Sequence, residues 1–211
     1  MSNNAENRYE NNRAVLIGRI STAPVYSHEV YGEGFFMFDM SVSRISENVD
    51  TVPVIISERM CDIENINVGD ICVVKGQLRS YNHHEENRNR LVLSIFAREF
   101  TLAEETEEAT NTNQIFLDGY ICKPPVYRKT PLGREIADIL IAVNRPYGKS
   151  DYIPCIVWGR NARYASSLEV GQHIQMDGRI QSRVYAKRDA SDNVEYHTAY
   201  ELSVSRIALS M

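Results

Sequence analysis

Residues 119–127 read Gly-Tyr-Ile-Cys-Lys-Pro-Pro-Val-Tyr, and a related stretch, Gly-Arg-Ile-Ser-Thr-Ala-Pro-Val-Tyr at 18–26, lies 101 positions earlier. The same spacing relates Val42-Ser43-Arg44 to Val143-Asn144-Arg145, and Pro53-Val54-Ile55 to Pro154-Cys155-Ile156. The spacing becomes 102 at Val68-Gly69 and Val170-Gly171, and 109 where Leu93-Ser94-Ile95 is matched to Leu202-Ser203-Val204. Glycines and prolines that recur in the same order indicate an internal duplication, so the chain contains two copies of one unit.

Each copy is predicted to be rich in β-strands. The first copy has candidate strands at 14–20, 34–42, 51–56, 71–79 and 91–97, with a helix at 58–63. The second has strands at 114–121, 135–143, 152–158, 173–183 and 197–207, with a helix at 160–168. Five strands with one helix between the third and the fourth is the order of an OB barrel, whereas a β-sandwich needs more strands. We therefore predict an all-β fold of two tandem five-stranded OB-fold barrels, each with one short helix between strands 3 and 4.

Charge divides the chain in the same way. Residues 1–110 hold 10 Lys+Arg and 18 Asp+Glu, a net charge of −8, whereas residues 111–211 hold 13 and 10, a net of +3. The segment between the copies is acidic and polar without apolar periodicity, which is typical of a solvated linker. The predicted domains are a degenerate barrel at 12–100, the linker at 101–113 and a second barrel at 114–209.

Composition argues against several classes of protein. The N-terminus lacks the apolar core of a signal peptide, and no apolar run is long enough for a membrane span, so we expect a cytoplasmic protein that does not bind membranes. The four cysteines are Cys61, Cys72, Cys122 and Cys155, and their wide spacing favours neither zinc nor a disulfide framework. His83 and His84 are adjacent in a hairpin without matching ligands, so no metal or other cofactor is expected. No catalytic motif is present, and we expect no enzyme activity.

The second copy resembles the bacterial single-stranded DNA-binding protein family. The resemblance is carried by Gly133 to Asp138, Ala142 to Arg145, Pro154 to Ala162, Asp177 to Arg183 and Tyr200 to Leu202. The first copy shares only the pattern of apolar residues and glycines. This resemblance implies binding of single-stranded DNA with little sequence preference, in DNA replication, repair or recombination.

A barrel with this function needs aromatic faces for the bases and a positive groove for the backbone. The resemblance aligns the family's stacking aromatics with Tyr147, Tyr152, Trp158 and Tyr185. The cations near them are Arg128, Lys129, Arg134, Arg145, Lys149, Arg160 and Arg183. Tyr152 and Trp158 lie in an alternating strand, where aromatic residues also commonly fill a barrel, and that alternative stays open.

The first copy has Thr51, Ser57 and His83 at three of these aromatic positions. We therefore expect it to serve assembly, with the apolar run Phe35 to Phe38 divided between its core and an exposed face that packs on another barrel. Family members generally need four barrels, which a two-barrel chain supplies as a homodimer. Family members often end in an acidic tip that recruits partner enzymes, whereas this sequence ends after its last predicted strand, so we do not extend the resemblance to that role. An OB-scaffold module that binds protein without strong nucleic-acid affinity is the alternative.

Overall fold

The computed structural model describes residues 11–44, 48–85, 88–103, 113–188 and 194–210, and β-strands predominate in it. The first barrel contains β1 (Asn12–Ile20), β2 (Val25–Val30), β3 (Glu33–Ser43), β4 (Val49–Ser57), β5 (Ile71–Glu85) and β6 (Arg88–Ala103). The second contains β7 (Asn113–Ile121), β8 (Val126–Lys129), β9 (Glu135–Asn144), β10 (Ser150–Trp158), β11 (His173–Arg188) and β12 (Val194–Leu209), with α1 (Arg160–Ala165) after β10. The predicted all-β fold is confirmed.

The strands form one twelve-stranded sheet in the order β2-β3-β4-β6-β5-β1-β7-β11-β12-β10-β9-β8. Additional pairing of β3 with β1, and of β7 with β9, closes each half into a barrel. Gly18 and Gly119 lie at these closures, where a Cβ atom would collide with the carbonyl oxygen of Ser41 or of Ala142. The glycine that opens each copy of the repeat is therefore required by the close approach of two backbones.

Each barrel also has an edge strand that the sequence analysis did not predict. β2 pairs with β3 and β8 pairs with β9, both antiparallel. Every residue of β2 and of β8 is exposed. A strand exposed on both faces has no alternation of apolar and polar residues, so periodicity could not reveal it.

The connection between the third and fourth predicted strands differs between the barrels. In the second, α1 buries Ala162 and Ala165, and it is shorter than the predicted 160–168. In the first, the structure has turns instead of the helix predicted at 58–63, followed by a 3-10 helix at Ile63–Asn65. The Asp62 carboxylate accepts a hydrogen bond from the Glu64 amide and begins this 3-10 helix. An Asp that binds the backbone in this way competes with an α-helix passing through it.

The pairing of the strands corrects the last of the three spacings between the two copies of the repeat. Leu78 lies opposite Ile95 in the first barrel, and its counterpart Ile180 lies opposite Leu202 in the second. Ile95 therefore corresponds to Leu202, a spacing of 107 rather than 109. Since side chains alternate with a period of two, a slip of two residues leaves the inward and outward pattern unchanged, and the apolar pattern cannot detect it.

The two barrels join through antiparallel pairing of β1 with β7, in which Ala14 faces Ile115. These two residues are equivalent in the repeat, so a local two-fold axis passes between them, as in an isologous dimer interface. Beside the axis, the buried Asn12 side chain bonds both the Leu78 amide and carbonyl, and Asn113 does the same at Ile180. Each asparagine thus extends the pairing of the two strands beyond its last backbone pair, Ala14–Gly76 or Ile115–Gly178.

One apolar cluster fills both barrels, and it includes Phe38, Ile56 and Leu78 of the first barrel with Ile139 and Ile141 of the second. The apolar run at the start of β3 is less open than expected. Phe35 is 9% exposed, because it stacks on His28 with ring centroids 5.0 Å apart and contacts Phe96 at 5.6 Å. His28 belongs to the unpredicted strand β2 and Phe96 to β6, so neighbouring strands cover Phe35 and the run does not form an open patch.

Candidate nucleic-acid interface

One outward face of the second barrel brings together aromatic residues from neighbouring strands. Tyr152 and Trp158 are six residues apart in β10, so strand alternation directs both to the same face. The face continues onto β12, where Ser203 lies beside Ile156. It then continues onto β11, where Tyr185 is paired with His197 of β12. Tyr152 is 50% exposed, Tyr185 39% and Trp158 37%. These rings are accessible to a ligand rather than enclosed in the barrel.

Contacts with neighbouring side chains hold two of the rings in place. The Trp158 Nε1 atom donates a hydrogen bond to the Ser203 hydroxyl at 3.2 Å. Tyr185 lies against His197 with ring centroids 5.7 Å apart, and the Arg183 guanidinium carbon is 5.8 Å from the Tyr185 ring centre. A cation over a tyrosine that is itself exposed places positive charge next to a stacking surface.

The other two aromatic residues are Tyr147, in the β9–β10 connection, and Tyr152, near the start of β10. Tyr147 belongs to a 3-10 helix at Pro146–Gly148, is 95% exposed and has a φ of 63°. A left-handed backbone conformation is uncommon for a large side chain, and such residues concentrate at functional sites. The Tyr152 amide donates a hydrogen bond to the hydroxyl of Ser80, which belongs to the first barrel.

The seven predicted cations divide into two groups. Arg128 forms two hydrogen bonds with Asp138, at 2.6 and 3.1 Å, and these bonds raise the pKa of the arginine. The Arg145 guanidinium lies 3.3 Å from the buried carboxylate of Asp151, and Arg183 covers Tyr185. The side chains of the remaining four are exposed and, within the described residues, form no ion pair: Lys129, Arg134, Lys149 and Arg160. Local carboxylates thus neutralise part of the positive charge counted in the sequence.

A cluster that the sequence analysis missed lies next to Trp158. The Tyr127 hydroxyl donates to Glu135 at 2.7 Å, and Arg163 of α1 donates to the same carboxylate at 2.8 Å. The hydrogen bonds from Arg163 and then Tyr127 lower the pKa of Glu135, and the bond to Glu135 raises the pKa of Tyr127. The Glu135 carbonyl also accepts from the Gly159 amide, so the cluster fixes the turn after Trp158.

Two buried carboxylates bind the barrels to each other, and they too were not predicted. Asp50 of the first barrel accepts hydrogen bonds from its own Arg44, from Arg179 of the second barrel at 3.1 Å and from the Ser182 amide at 2.8 Å. Both Asp50 and its counterpart Asp151 have fully buried side chains. An aspartate beside a turn usually faces solvent, so the sequence of one barrel gave no sign of partners in the other.

Asp151 repeats this arrangement in the opposite direction. It accepts from Arg79 of the first barrel at 3.0 Å and from the Ser80 amide at 2.8 Å, and it lies beside Arg145. The Nε atom of Arg145 is buried and makes no hydrogen bond within the described residues. Arg145, predicted as a contact for DNA, is thus engaged at the joint between the barrels.

The first barrel has carboxylates at the equivalent of the Trp158 site. Ser57, the counterpart of Trp158, is buried, and its hydroxyl bonds the Glu33 carboxylate. Arg59 pairs with the same carboxylate at 3.2 Å, and Glu58 accepts from the Gly34 amide. Of the residues that the structure describes, the second barrel has one carboxylate at this place, Glu135, which is paired with Arg163, whereas the first has Glu58 in addition to the paired Glu33. This further negative charge is unfavourable for a phosphate backbone.

Several expectations concern residues outside the described structure. The acidic linker falls mostly there, and so do the side chains of His83 and His84. Within the described residues, no group of three or more His, Cys, Asp or Glu is arranged to hold a metal ion. No helix in the described ranges is long and apolar enough to cross a membrane.

Comparison with known proteins gives the same division of the chain. Residues 112–210 match the family model described as "Single-strand binding protein family". Single-stranded DNA-binding protein 3 of Listeria innocua is 37% identical over 84 residues, which cover 36% of this chain and 52% of that protein. The single-stranded DNA-binding protein of Oceanobacillus iheyensis is 36% identical over the same length. The chain therefore spans about half the length of these curated relatives.

A likeness across both barrels comes from a solved structure. The wild-type single-stranded DNA-binding protein of Thermus aquaticus superimposes with a TM-score of 0.73, covering 95% of this chain and 93% of that one, at 18% identity. At this identity the likeness concerns the fold alone, and it extends over the tandem arrangement of two OB barrels.

Proposed function

We propose that the protein binds single-stranded DNA through the outward face of its second barrel, because residues 112–210 match the model of the single-strand binding protein family. The binding is sequence-tolerant, because every base has a π-face that can stack on an aromatic side chain. Roles in replication, repair or recombination follow from such binding. The proposed setting is the cytoplasm, where cysteines such as the buried Cys72 and Cys155 stay reduced.

The observation that carries this proposal is the set of four exposed aromatic residues along one barrel. Tyr152, Trp158 and Tyr185 share the sheet face, and Tyr147 stands in the β9–β10 connection, just before β10 begins. Lys129, Arg134, Lys149 and Arg160 provide exposed cations around it. Aromatic platforms beside a positively charged path are what single-strand binding requires.

We also propose that the chain has two domains with different roles: a first domain at 12–100 that serves assembly, and a second at 114–209 that binds DNA. The carboxylates of Glu33 and Glu58, near the equivalent of the Trp158 site, support an assembly role for the first domain. The same carboxylates favour the alternative function, binding of protein, for that barrel alone. A partner that survives nuclease treatment in a pull-down would support this alternative.

The proposed assembly is a homodimer with four barrels. Val15, Ile17, Val73 and Phe116 are only half-buried, and they lie on the outer face of the central strands β1, β5 and β7. This face surrounds the local two-fold axis, so a second copy can cover it with matching residues. Sedimentation equilibrium should give about twice the chain mass of 24.1 kDa. Changing Ile17 and Val73, which are opposite each other, to Asp should give the monomer mass, and an unchanged dimer would reject this face.

Titration with an oligothymidine strand tests the proposed binding. Trp158 is the single tryptophan, so its fluorescence should fall as bases stack on the face. Affinity should also decrease with salt, with a log–log slope of about −0.7 per phosphate neutralised. An unchanged fluorescence together with no mobility shift at low salt would refute the proposal.

A further inference from the structure

The connection that carries Tyr147 is held at both ends by residues of the first barrel. At its start, the Asn11 side chain donates to the Asn144 carbonyl at 2.8 Å. At its end, Arg79 and Ser80 bind Asp151, and the Ser80 hydroxyl accepts from the Tyr152 amide at 2.8 Å. The barrel that lacks the aromatic set thus fixes the backbone on either side of the connection.

We propose that Arg79 and Ser80 of the first barrel are positioning residues for DNA binding by the second. They act through Asp151 and Tyr152 on the tyrosines at 147 and 152, without touching the nucleic acid. This inference rests on the proposed function, and it gives the first barrel a defined part in that function.

Burial makes this contact suitable for positioning. The Asp151 side chain is fully buried and that of Arg79 is 14% exposed, so little water can replace one partner when the other moves. Two cations, Arg79 and Arg145, approach the same Asp151 oxygen from different barrels. Moving the barrels apart would leave a buried charge without its partners, and the connection therefore keeps its geometry.

The connection between β9 and β10 is a short loop, and a backbone hydrogen bond joins its two ends. Arg145 donates from its amide to the Lys149 carbonyl at 2.8 Å, and the left-handed Tyr147 lies between them. Since Arg145 also lies beside Asp151, a shift of that carboxylate would reach both ends of the connection. A ring that is 95% exposed has little packing of its own, so its position depends on this backbone.

The chain contains a matched control in its other barrel. Ser182 is the counterpart of Ser80, binds Asp50 through its amide and accepts from the Thr51 amide at 3.1 Å. The stretch that Asp50 supports contains no aromatic residue between Arg44 and Asp50. Loss of the Ser182 hydroxyl should therefore disturb the joint between the barrels equally without moving a stacking ring.

The experiment compares Arg79→Gln, Ser80→Ala and Ser182→Ala in the full chain, with oligothymidine as the probe. We expect Arg79→Gln to weaken binding by about tenfold and Ser80→Ala by about threefold, in the range of mutations that act through structural coupling. Ser182→Ala should change the affinity by less than about twofold. If Arg79→Gln does not fold, as judged by circular dichroism, the two serine variants carry the comparison.

Two further readouts separate positioning from direct contact and from general damage. The salt slope of Arg79→Gln should equal that of the wild type, because a residue that neutralises no phosphate releases no counterion. In a Tyr147→Ala/Tyr152→Ala background, Arg79→Gln should have little further effect.

The outcomes can be distinguished from one another. Equal affinities for Ser80→Ala and Ser182→Ala, a reduced salt slope, or an undiminished effect in the double-alanine background would overturn the positioning role. A wild-type protein that does not bind the probe at all would instead refute the proposed function.

Discussion

Replacing Asp50 by Ala should strongly destabilise the protein, although Asp50 lies outside the proposed DNA-binding face. The carboxylate is fully buried and holds Arg44, Arg179 and the Ser182 amide. Removing one partner of a buried ion pair costs about 3–5 kcal/mol, because the remaining charges stay without compensation. The Arg179 side chain is 36% exposed, so water offsets part of this loss. We expect the lower end, about 3 kcal/mol.

For a chain of this size, each kcal/mol lowers the Tm by about 2–4 °C, so the expected decrease is roughly 6–12 °C. Unfolding should be followed by circular dichroism for the whole chain and by Trp158 fluorescence for the second barrel. Both signals should shift together, because Asp50 joins the barrels. The control is Glu99→Ala, which removes an exposed pair with Lys75 and should cost about 1 kcal/mol or less. A loss below about 1 kcal/mol for Asp50→Ala, or a Trp158 transition that does not move, would refute the reasoning.

Three other experiments test separate parts of the structure. Burial raises the pKa of Cys72 to about 12 and raises that of Cys155, so both thiols should resist Ellman's reagent at pH 8 until denaturant is added; rapid labelling of either in the native protein would contradict their placement. Burial also raises the pKa of Asp39, which means that the folded state disfavours its charged form. Asp39→Asn should thus raise the Tm at pH 7, and the gain should disappear as the pH falls until the wild-type carboxyl is protonated; a gain that grows at low pH would have the wrong sign. Finally, Arg160→Ala should reduce the salt slope of DNA binding by about 0.7, whereas Arg145→Ala should mainly lower stability, and the reverse result would exchange their roles.

The sequence was sufficient for the tandem fold, because glycines and prolines recur in the same order in both copies and some of the glycines stand where no side chain fits. Gly18 and Gly119 illustrate this, since each lies where a side chain would collide with a neighbouring backbone. The periodicity of apolar residues gave no signal at two places. It could not reveal β2 and β8, because these strands are exposed on both faces. It could not detect the register slip of two residues at Leu202, because such a slip leaves the alternation of side chains unchanged.

The aromatic residues of the proposed site could be named from the sequence, but the residues that support them could not. Tyr152 and Trp158 stand in a strand whose alternation fixes their face, and they are exposed there. The roles of Asp151 and Ser80 depend on a contact between the barrels that no local pattern encodes. The same holds for Arg145, whose positive charge suggested a phosphate contact although its partner is a buried aspartate.

The most direct test of the proposed function is the affinity for oligothymidine after Tyr152→Ala and Trp158→Ala, measured separately and together. Stacking contributes about 1–3 kcal/mol per base, so each change should weaken binding by roughly 5- to 150-fold. Anisotropy of a labelled strand should be used, since Trp158→Ala removes the intrinsic signal. Large losses in variants that keep the wild-type circular dichroism are the predicted result. Unchanged affinity in the double variant would contradict the assignment of this face to DNA.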